Sequence, residues 1–277
     1  MTPKKTHKKI SPNRIKTFQD DVLTFYHAQG RRLPWRQTTD PYKILVSEIM
    51  LQQTQVSRVI PYYRQWVKNW PTVQRLAAAP RTDVLRAWLG LGYNSRAIRL
   101  HQAAHIITTD FHGDVLAAMK DYHHVPGVGL YTAQAVRIFS RNEDQVTVDT
   151  NIRRIFLAYF HLPASTADKE IWGLAWQCLP QGKSRDWHNA LMDYGALKLT
   201  ARTTKIAPKN RQPPYIGSPR QLRAAVLRLL LEAPQTYDEL QNQLGPAPAL
   251  SEVLARMCHE RILILENDHY TVQSGED

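Results

Sequence analysis

The sequence predicts an all-α fold with a small winged-helix-like domain near its C-terminal end. Between residues 17 and 200, apolar residues recur at the three- and four-residue spacing of amphipathic helices. A Pro-Gly-Val-Gly turn at residues 126–129 separates two such segments and is typical of a helix, a tight hairpin and a second helix. Three more helical segments and two short β-branched runs follow in the order of a winged helix-turn-helix: residues 219–231, 236–244, 249–260, 262–265 and 270–272.

The charge of the chain favours a polyanionic partner. The sequence has 36 Lys and Arg residues against 24 Asp and Glu residues, a formal net charge of +12. Such an excess is typical of proteins that bind nucleic acid. An anionic membrane would also attract it, but no apolar run approaches the length of a membrane span, and the first residues lack the apolar stretch of a signal peptide. We therefore expect a cytoplasmic, nucleoid-associated protein that does not bind a membrane.

The basic residues also suggest how the chain is divided. Residues 1–16 carry six Lys and Arg residues and no acid, which predicts a flexible basic arm, although a solvated tail without function has the same composition. Residues 17–200 form the large helical domain, and residues 201–218 form a basic linker. Residues 219–277 form the winged-helix-like domain. Duplex binding and protein contact are equally open for it, because the helix expected to enter the groove carries two glutamates.

The hairpin offers a binding site for an anion. Proline lacks an amide hydrogen, and Gly127 and Gly129 permit positive φ, so the turn interrupts the helix and directs backbone amides outward at the start of the next one. On a basic protein the obvious anion is a phosphodiester. An ordinary turn between two helices is the alternative.

Two carboxyl groups stand out along the chain. Asp149 follows a β-branched run and precedes a helical segment, so its position alone predicts an N-cap. A second helix is expected at residues 41–56, with Glu48, Gln52 and Gln55 on one polar stripe. Apolar neighbours would partly desolvate Glu48, and desolvation raises the pKa of a carboxyl group. A half-buried glutamate that pairs with a nearby arginine is the alternative.

Several stretches together resemble the helix-hairpin-helix DNA glycosylases, and among them the adenine-specific mismatch glycosylases of the MutY type. The hairpin followed by Val-Asp-Thr-Asn at residues 148–151 is typical of the superfamily. Leu-Pro-Trp-Arg at residues 33–36 and Ser-Glu-Ile-Met-Leu-Gln-Gln-Thr at residues 47–54 indicate the adenine-specific type. The resemblance covers residues 18–200. It implies a two-lobed helical domain that binds mismatched double-stranded DNA as a monomer and flips one base out of the duplex.

The resemblance assigns the chemistry to the two carboxyl groups. Glu48 would protonate the departing purine, and Asp149, whose anion the helix N-terminus favours, would stabilise or transiently attack the cationic sugar. Asn151 would hydrogen-bond near Asp149. Tyr131 stands where strand-cleaving relatives have a lysine, which implies a monofunctional glycosylase. A tyrosine that only packs after the hairpin is the alternative.

The same resemblance implies which residues hold the DNA. Arg36, Leu51 and Trp35 would border the extruded base, although Trp35 could equally anchor its loop in the core. Gln53 and Tyr93 would wedge into the duplex at the place that the base leaves. The residues expected to bind phosphates are Val125, Gly127, Gly129, Thr132, Gln52, Thr54, Lys198 and Arg202. The backbone of the hairpin at residues 125–129 is also a candidate site for a monovalent cation.

Two features depart from the family pattern. Relatives hold an iron-sulfur cluster with four cysteines, whereas this sequence has only Cys178 and Cys258, and Leu199 stands where the first ligand is expected. We therefore expect no cofactor and no metal. The residues after 219 also lack the pattern of the Nudix-like domain that reads 8-oxoguanine in fuller relatives. The lack of this pattern affects the prediction of which lesion is recognised more than the prediction of which reaction is catalysed.

The expected function is hydrolytic removal of adenine opposite 8-oxoguanine or guanine, without strand cleavage. A glycosylase retuned to another base is the second interpretation, since a pocket can change shape while both carboxyl groups stay. The third is a DNA-binding or regulatory protein that uses the scaffold without catalysis. The joint presence of Glu48, Tyr131 and Asp149 argues against this last interpretation.

Overall fold

The structure is a computed structural model that describes residues 10–206, 215–245 and 247–273. Over these residues the chain is mainly helical, which confirms the predicted fold class. In chain order the helices are α1 (Pro12–Gln29), α2 (Pro41–Leu51), α3 (Val56–Asn69), α4 (Val73–Ala77), α5 (Arg81–Trp88), α6 (Ser95–Thr109), α7 (Val115–Lys120), α8 (Leu130–Arg141), α9 (Thr150–Tyr159), α10 (Asp168–Gln177), α11 (Ser184–Asp193), α12 (Ala201–Thr204), α13 (Pro219–Glu232), α14 (Tyr237–Leu244) and α15 (Leu250–His259). Among the described helices, none has both the length and the apolar character that a membrane span requires.

The chain divides into two compact units, as the two-lobed prediction requires. The first unit contains residues 1–44 and 128–211, and the second contains residues 45–127 and 212–277. The C-terminal residues therefore group with the second unit. Their predicted status as a separate domain stays a prediction.

The first unit is built around Phe18 of α1, which is fully buried. The centroid of its ring lies 5.5 Å from that of Phe156 on α9 and 5.4 Å from that of Trp187 on α11. The edge-on packing of these rings fixes α1 against α9 and α11. The same core continues to Leu199 and Ile206, whose half-buried side chains pack against it.

The second unit has an aromatic core of its own. Trp66 of α3 and Trp88 of α5 are fully buried, with ring centroids 5.4 Å apart. The C-terminal residues attach to this unit through α5. Arg81 donates a hydrogen bond to the carbonyl of Arg261, and Arg86 Nη2 donates one to the carbonyl of Leu231 at 2.8 Å.

The C-terminal part forms a three-stranded antiparallel sheet beside α13, α14 and α15. The strands β1 (Gln235–Thr236), β2 (Leu263–Glu266) and β3 (His269–Val272) lie in the order β1-β3-β2. Asn267 and Asp268 both have positive φ, which is typical of a two-residue hairpin turn. Strand β1 is too short to leave a sequence signal, so the sequence predicted only the other two strands. The winged-helix assignment stays a prediction.

Helices of the structure overlap three of the predicted boundaries. Helix α1 begins at Pro12, so the last residues of the predicted flexible arm are helical. Part of the predicted linker, Ala201–Thr204, is also helical, because the Thr200 hydroxyl accepts from the backbone N–H of Thr203 and caps it. Helix α2 ends at Leu51 rather than at residue 56. Residues 1–9 of the arm and residues 207–214 of the linker lie outside the described residues.

Candidate active site

Asp149 is the N-cap of α9, and both of its carboxylate oxygens are occupied. Oδ1 accepts from the backbone N–H of Ile152 at 2.6 Å, and Oδ2 accepts from the side-chain amide of Asn151 at 3.0 Å. The carboxyl is half-buried, and burial raises its pKa. The hydrogen bonds from Ile152 and Asn151 and the nearby charge of Arg154 act in the opposite direction, but burial dominates. The N-terminus of α9 therefore holds the carboxylate in place, but it does not by itself determine the pKa of Asp149.

Arg154 extends this arrangement one step further. Its Nη2 donates to Asn151 Oδ1 at 2.9 Å and to the carbonyl of Gly195 at 2.8 Å, and its Nε donates to the carbonyl of Leu199 at 2.8 Å. Asn151 thus bridges the carboxylate of Asp149 and the guanidinium of Arg154, which fixes the orientation of its amide. No local sequence pattern marks Arg154, because only the folded chain brings α9 against residues 195–199.

The segment that receives Arg154 is a π-helical turn, Tyr194–Lys198. A Cβ atom at Gly195 would lie 3.0 Å from Ile155 Cδ1 and 3.3 Å from Asn151 Cβ, so a larger residue would push Asn151 aside. Single π turns inside helical segments occur frequently at functional sites. Gly195 therefore belongs to the support of Asn151.

His188 anchors the run that leads to Asp149. Its Nε2 accepts from the backbone N–H of Thr147 at 3.2 Å, and its Nδ1 lies 2.7 Å from the carbonyl of Ser184. Only the neutral tautomer with a proton on Nδ1 satisfies both partners. Burial lowers the pKa of His188 to about 4. His188 was likewise not predicted, because its partner Thr147 lies 41 residues away in the sequence.

The buried histidine predicts a loss of stability in mild acid. In the unfolded chain the imidazole of His188 binds a proton near its ordinary pKa of 6.5, whereas in the folded chain it does so only near pH 4. Between these two pH values protonation therefore favours the unfolded chain. The free energy of unfolding consequently falls as the pH is lowered from 6.5 towards 4. The free energy of unfolding should drop by about 2 kcal/mol between pH 7 and pH 5 from this group. Urea unfolding of the parent and of His188→Gln at both pH values measures the difference. His27→Gln, at an exposed site on α1, is the control, and an equal pH dependence in the parent and His188→Gln would contradict the assignment.

Glu48 lies near the end of α2 in the second unit and is 7% exposed. Its chain neighbours Ile49 and Met50 are buried, in agreement with the apolar surroundings predicted for it. Asp149 belongs to the first unit. The prediction that the two carboxyl groups border one nucleoside stays a prediction.

Arg36 and Trp35 have structural partners in the first unit. Both terminal nitrogens of Arg36 bind the carboxylate of Asp193, at 2.8 and 2.9 Å, and Arg31 Nε binds it at 2.7 Å. Burial of Asp193 acts to raise its pKa, but the hydrogen bonds from the two arginines outweigh burial and hold the pKa below its ordinary value. Trp35 is only 7% exposed, as expected if it anchors the loop. Leu51, the third residue predicted at the base, is half-buried at the end of α2 in the second unit.

The predicted wedge residues sit on two left-handed turns of the second unit. Gln53 has φ 55° and Tyr93 has φ 50°, a conformation that costs energy in a non-glycine residue. Arg96 of α6 holds both turns in place. Its two terminal nitrogens donate to the hydroxyl of Thr54 and to the carbonyls of Ile49, Met50, Gln52, Leu91 and Gly92.

The predicted polar stripe Glu48, Gln52 and Gln55 does not exist. Arg96 donates hydrogen bonds to the carbonyls of Ile49 and Met50 at the end of α2, and the helix ends at Leu51. Gln55 is the N-cap of the next helix, α3. Gln52 and Thr54 therefore lie in the turn between the helices. Their role in phosphate binding stays a prediction.

The hairpin exposes only part of the set predicted to bind phosphate. Val125 and Thr132 are 3% and 4% exposed, so their side chains pack into the interior. Their predicted phosphate contacts, which would use backbone amides, stay a prediction. Gly127 and Gly129 are exposed. Gly127 has φ 76°, and a Cβ there would lie 2.9 Å from Arg99 Cβ, so the turn requires glycine for two reasons. Gly129 has φ −103° and starts α8.

Exposed basic residues lie at the end of the π-helical turn and in α12. Lys198 and Arg202 are exposed, and Lys198 Nζ lies 4.9 Å from the ring centroid of Tyr194. Both side chains are therefore available for a phosphate. Leu199, at the expected position of the first cluster ligand, instead packs against the core of the first unit.

The donor set does not fit an iron-sulfur cluster. Cys178 is buried in the first unit, and burial raises the pKa of its thiol to about 12, whereas Cys258 belongs to the second unit. A four-thiolate cluster needs four cysteines, and the sequence has two. Across the described ranges, no three His, Cys, Asp or Glu side chains cluster so that they could hold a metal ion.

Comparison with known proteins decides the family. A family model described as "HhH-GPD superfamily base excision DNA repair protein" matches residues 46–181. The adenine DNA glycosylase of Mycolicibacterium smegmatis is 36% identical over 236 residues, which are 77% of this chain and 80% of that protein. The chain belongs to the HhH-GPD superfamily. It is a DNA glycosylase of base excision repair, similar to the MutY type, as its motifs predicted.

Other relatives of this glycosylase agree with the assignment. The adenine DNA glycosylase of Mycobacterium tuberculosis is 36% identical over 252 residues, which are 79% of this chain and 81% of that protein. Among solved structures, a thermostable thymine-DNA glycosylase superposes with a TM-score of 0.65 at 31% identity, over 70% of this chain and 91% of that one. A non-covalent endonuclease III–DNA complex superposes with a TM-score of 0.62 at 15% identity, over 73% of this chain and 91% of that one, which supports the fold alone.

Proposed function

We propose that this glycosylase removes adenine opposite 8-oxoguanine or guanine in double-stranded DNA, by hydrolysis and without cutting the strand. The observation that carries the proposal is the carboxylate of Asp149, held by the N-terminus of α9 and by Asn151. Two relatives that match about four-fifths of their own length are named adenine DNA glycosylase, and this supports adenine as the base.

The mechanism follows from how adenine can leave a deoxyribose. The purine departs readily only when it is protonated, and the sugar then becomes a cation. Glu48, with its buried position on α2, would donate the proton to the purine. The anion of Asp149 would stabilise the sugar cation, and Asn151 and Arg154 keep that carboxylate in one orientation. Water then completes the hydrolysis with a carboxylate as base.

Three further properties belong to the proposal. Tyr131 has no amine that could form a Schiff base, so the enzyme would leave the strand intact. The protein would act as a monomer without an iron-sulfur cluster, and it would work in the nucleoid. Gly127, Gly129, Lys198 and Arg202, all exposed, would bind the phosphates of the duplex.

A second candidate is removal of mismatched thymine. The superposition at 31% identity on a thymine-DNA glycosylase favours it. Thymine leaves as an anion that needs hydrogen-bond donors, whereas adenine leaves after protonation. The identity of the released base, and its dependence on Glu48, separates the two candidates.

The test mixes purified protein with single-mismatch oligonucleotide duplexes in the presence of a metal chelator. We expect release of adenine from duplexes with adenine opposite 8-oxoguanine or guanine. The strand should break only after alkali, and borohydride should trap no protein–DNA adduct. Fully paired duplexes are the control. Release of thymine that persists in Glu48→Gln would support the second candidate, and tight binding without an abasic product would mean that the scaffold is not catalytic.

A further inference from the structure

A pocket of about 310 Å³ lies within the second unit, beside the two left-handed turns. Gln53 and Tyr93 line it from those turns, and Tyr215, Arg220 and Ala224 line it from the start of the C-terminal segment. The pocket therefore combines the predicted wedge with residues that the MutY-type resemblance does not cover.

Arg220 contacts the predicted wedge directly. Its Nη1 donates to the hydroxyl of Tyr93 at 3.1 Å, and its guanidinium carbon lies 5.8 Å from the centroid of the Tyr93 ring. The guanidinium of Arg96 lies 5.5 Å from the same centroid. Tyr93 therefore contacts two arginines, Arg96 from α6 and Arg220 from α13.

The surroundings of the pocket suit a nucleic acid strand. Tyr215 is 51% exposed and Ile216 beside it is 86% exposed. Arg58 lines the same pocket and is exposed, and the lining residues include no Asp or Glu. Exposed aromatic and aliphatic side chains next to cations are the groups that stack on bases and pair with phosphates.

The C-terminal segment is also attached to the second unit at places away from the wedge. Arg81 and Arg86 of α5 bind the carbonyls of Arg261 and Leu231. Arg220 differs from these two arginines because it donates a hydrogen bond to Tyr93, a predicted wedge residue.

We propose that Tyr215 and Arg220 complete, with Gln53 and Tyr93, a binding site for the base opposite the one excised. This inference rests on the proposed function, in which that opposite base is a purine. Arg220 would donate to the acceptor edge of the purine, and Tyr215 would stack on its face. The C-terminal segment would thereby contribute to lesion recognition.

Binding measurements with Asp149→Asn protein test the inference, because base release is then expected to be about a hundredfold to a thousandfold slower and the substrate outlasts a short binding measurement. Arg220→Gln is compared with Arg228→Gln, which removes the same charge from an exposed site on α13 away from the pocket. On adenine opposite 8-oxoguanine, Arg220→Gln should weaken binding about tenfold, and the control should change it about twofold at most. On a duplex with an abasic analogue opposite adenine, the two variants should bind alike.

The inference would be overturned if Arg220→Gln lost as much DNA affinity on the duplex without the opposite base as on the duplex with it. It would also be overturned if Arg220→Gln lost no more affinity than Arg228→Gln. A second variant, Tyr215→Ser, leaves Arg220 and Tyr93 in place. Its loss of affinity should also occur only when the opposite base is present. A general loosening of α13 would instead weaken binding with and without that base. Base release does not enter these measurements. Failure of the proposed function would therefore appear in the release assay, and failure of the inference would appear in the binding comparison.

Discussion

Replacing Asp149 with asparagine is expected to lower the single-turnover rate of base release by about a hundredfold to a thousandfold. Asparagine caps a helix as well as aspartate does, so its side-chain oxygen can still accept from the N–H of Ile152. The substitution therefore removes the negative charge and keeps the cap of α9, although the amide nitrogen that replaces Oδ2 cannot accept from Asn151. The loss follows because a neutral amide stabilises a cationic sugar far less than a carboxylate does.

Asp114 provides the matched control for this substitution. It is also an N-cap, and its Oδ1 accepts from the backbone N–H groups of Leu116 and Ala117 at 2.9 and 3.0 Å. Asp114→Asn should therefore retain both the thermal midpoint and the rate of base release. Rapid-quench assays with enzyme in excess measure the chemical step in both variants. An Asp149→Asn protein that releases base as fast as Asp114→Asn would refute the role of Asp149 in the chemistry.

The features that the sequence predicted well are those that local residues determine. Asp149 is an N-cap, and the helical segment predicted at residues 236–244 begins with a capping box of Thr236 and Glu239, because each cap binds amides within three residues of itself. The helix start after Asp40 is likewise confirmed by its bonds to the amides of Tyr42 and Lys43. In each case the groups that pair are close in sequence.

The features that could not be predicted from the sequence depend on partners that are distant in the chain. Nothing near Leu51 breaks a helix, since the sequence has neither glycine nor proline there, and the end of α2 is bound by Arg96 from α6. Arg154 and His188 likewise support Asp149 and the extended segment before it through residues 41 positions away. A long polar side chain that the fold buries against carbonyls has no local pattern of its own. The catalytic residues could therefore be proposed from motifs, whereas their support required the fold.

Replacing Arg96 with methionine is expected to lower the free energy of unfolding by about 3–5 kcal/mol. The guanidinium is 7% exposed, and burial lowers its pKa to about 10, so it stays charged at neutral pH. Its removal would leave the last carbonyls of α2 and the hydroxyl of Thr54 without this donor inside the protein. Arg96→Lys should lose most of the same stability, because an ammonium cannot reach acceptors on two sides as a planar fork does.

Arg64→Met is the matched control, since Arg64 is exposed on α3 of the same unit. Urea unfolding at pH 7 should place this control within about 0.5 kcal/mol of the parent. The choice of methionine separates charge from volume, because its side chain fills much of the same space without donating. If Arg96→Met unfolded at the same urea concentration as Arg64→Met, the two left-handed turns would be held by packing alone. The positive φ of Gln53 and Tyr93 would then lack the hydrogen bonds that we infer offset its cost.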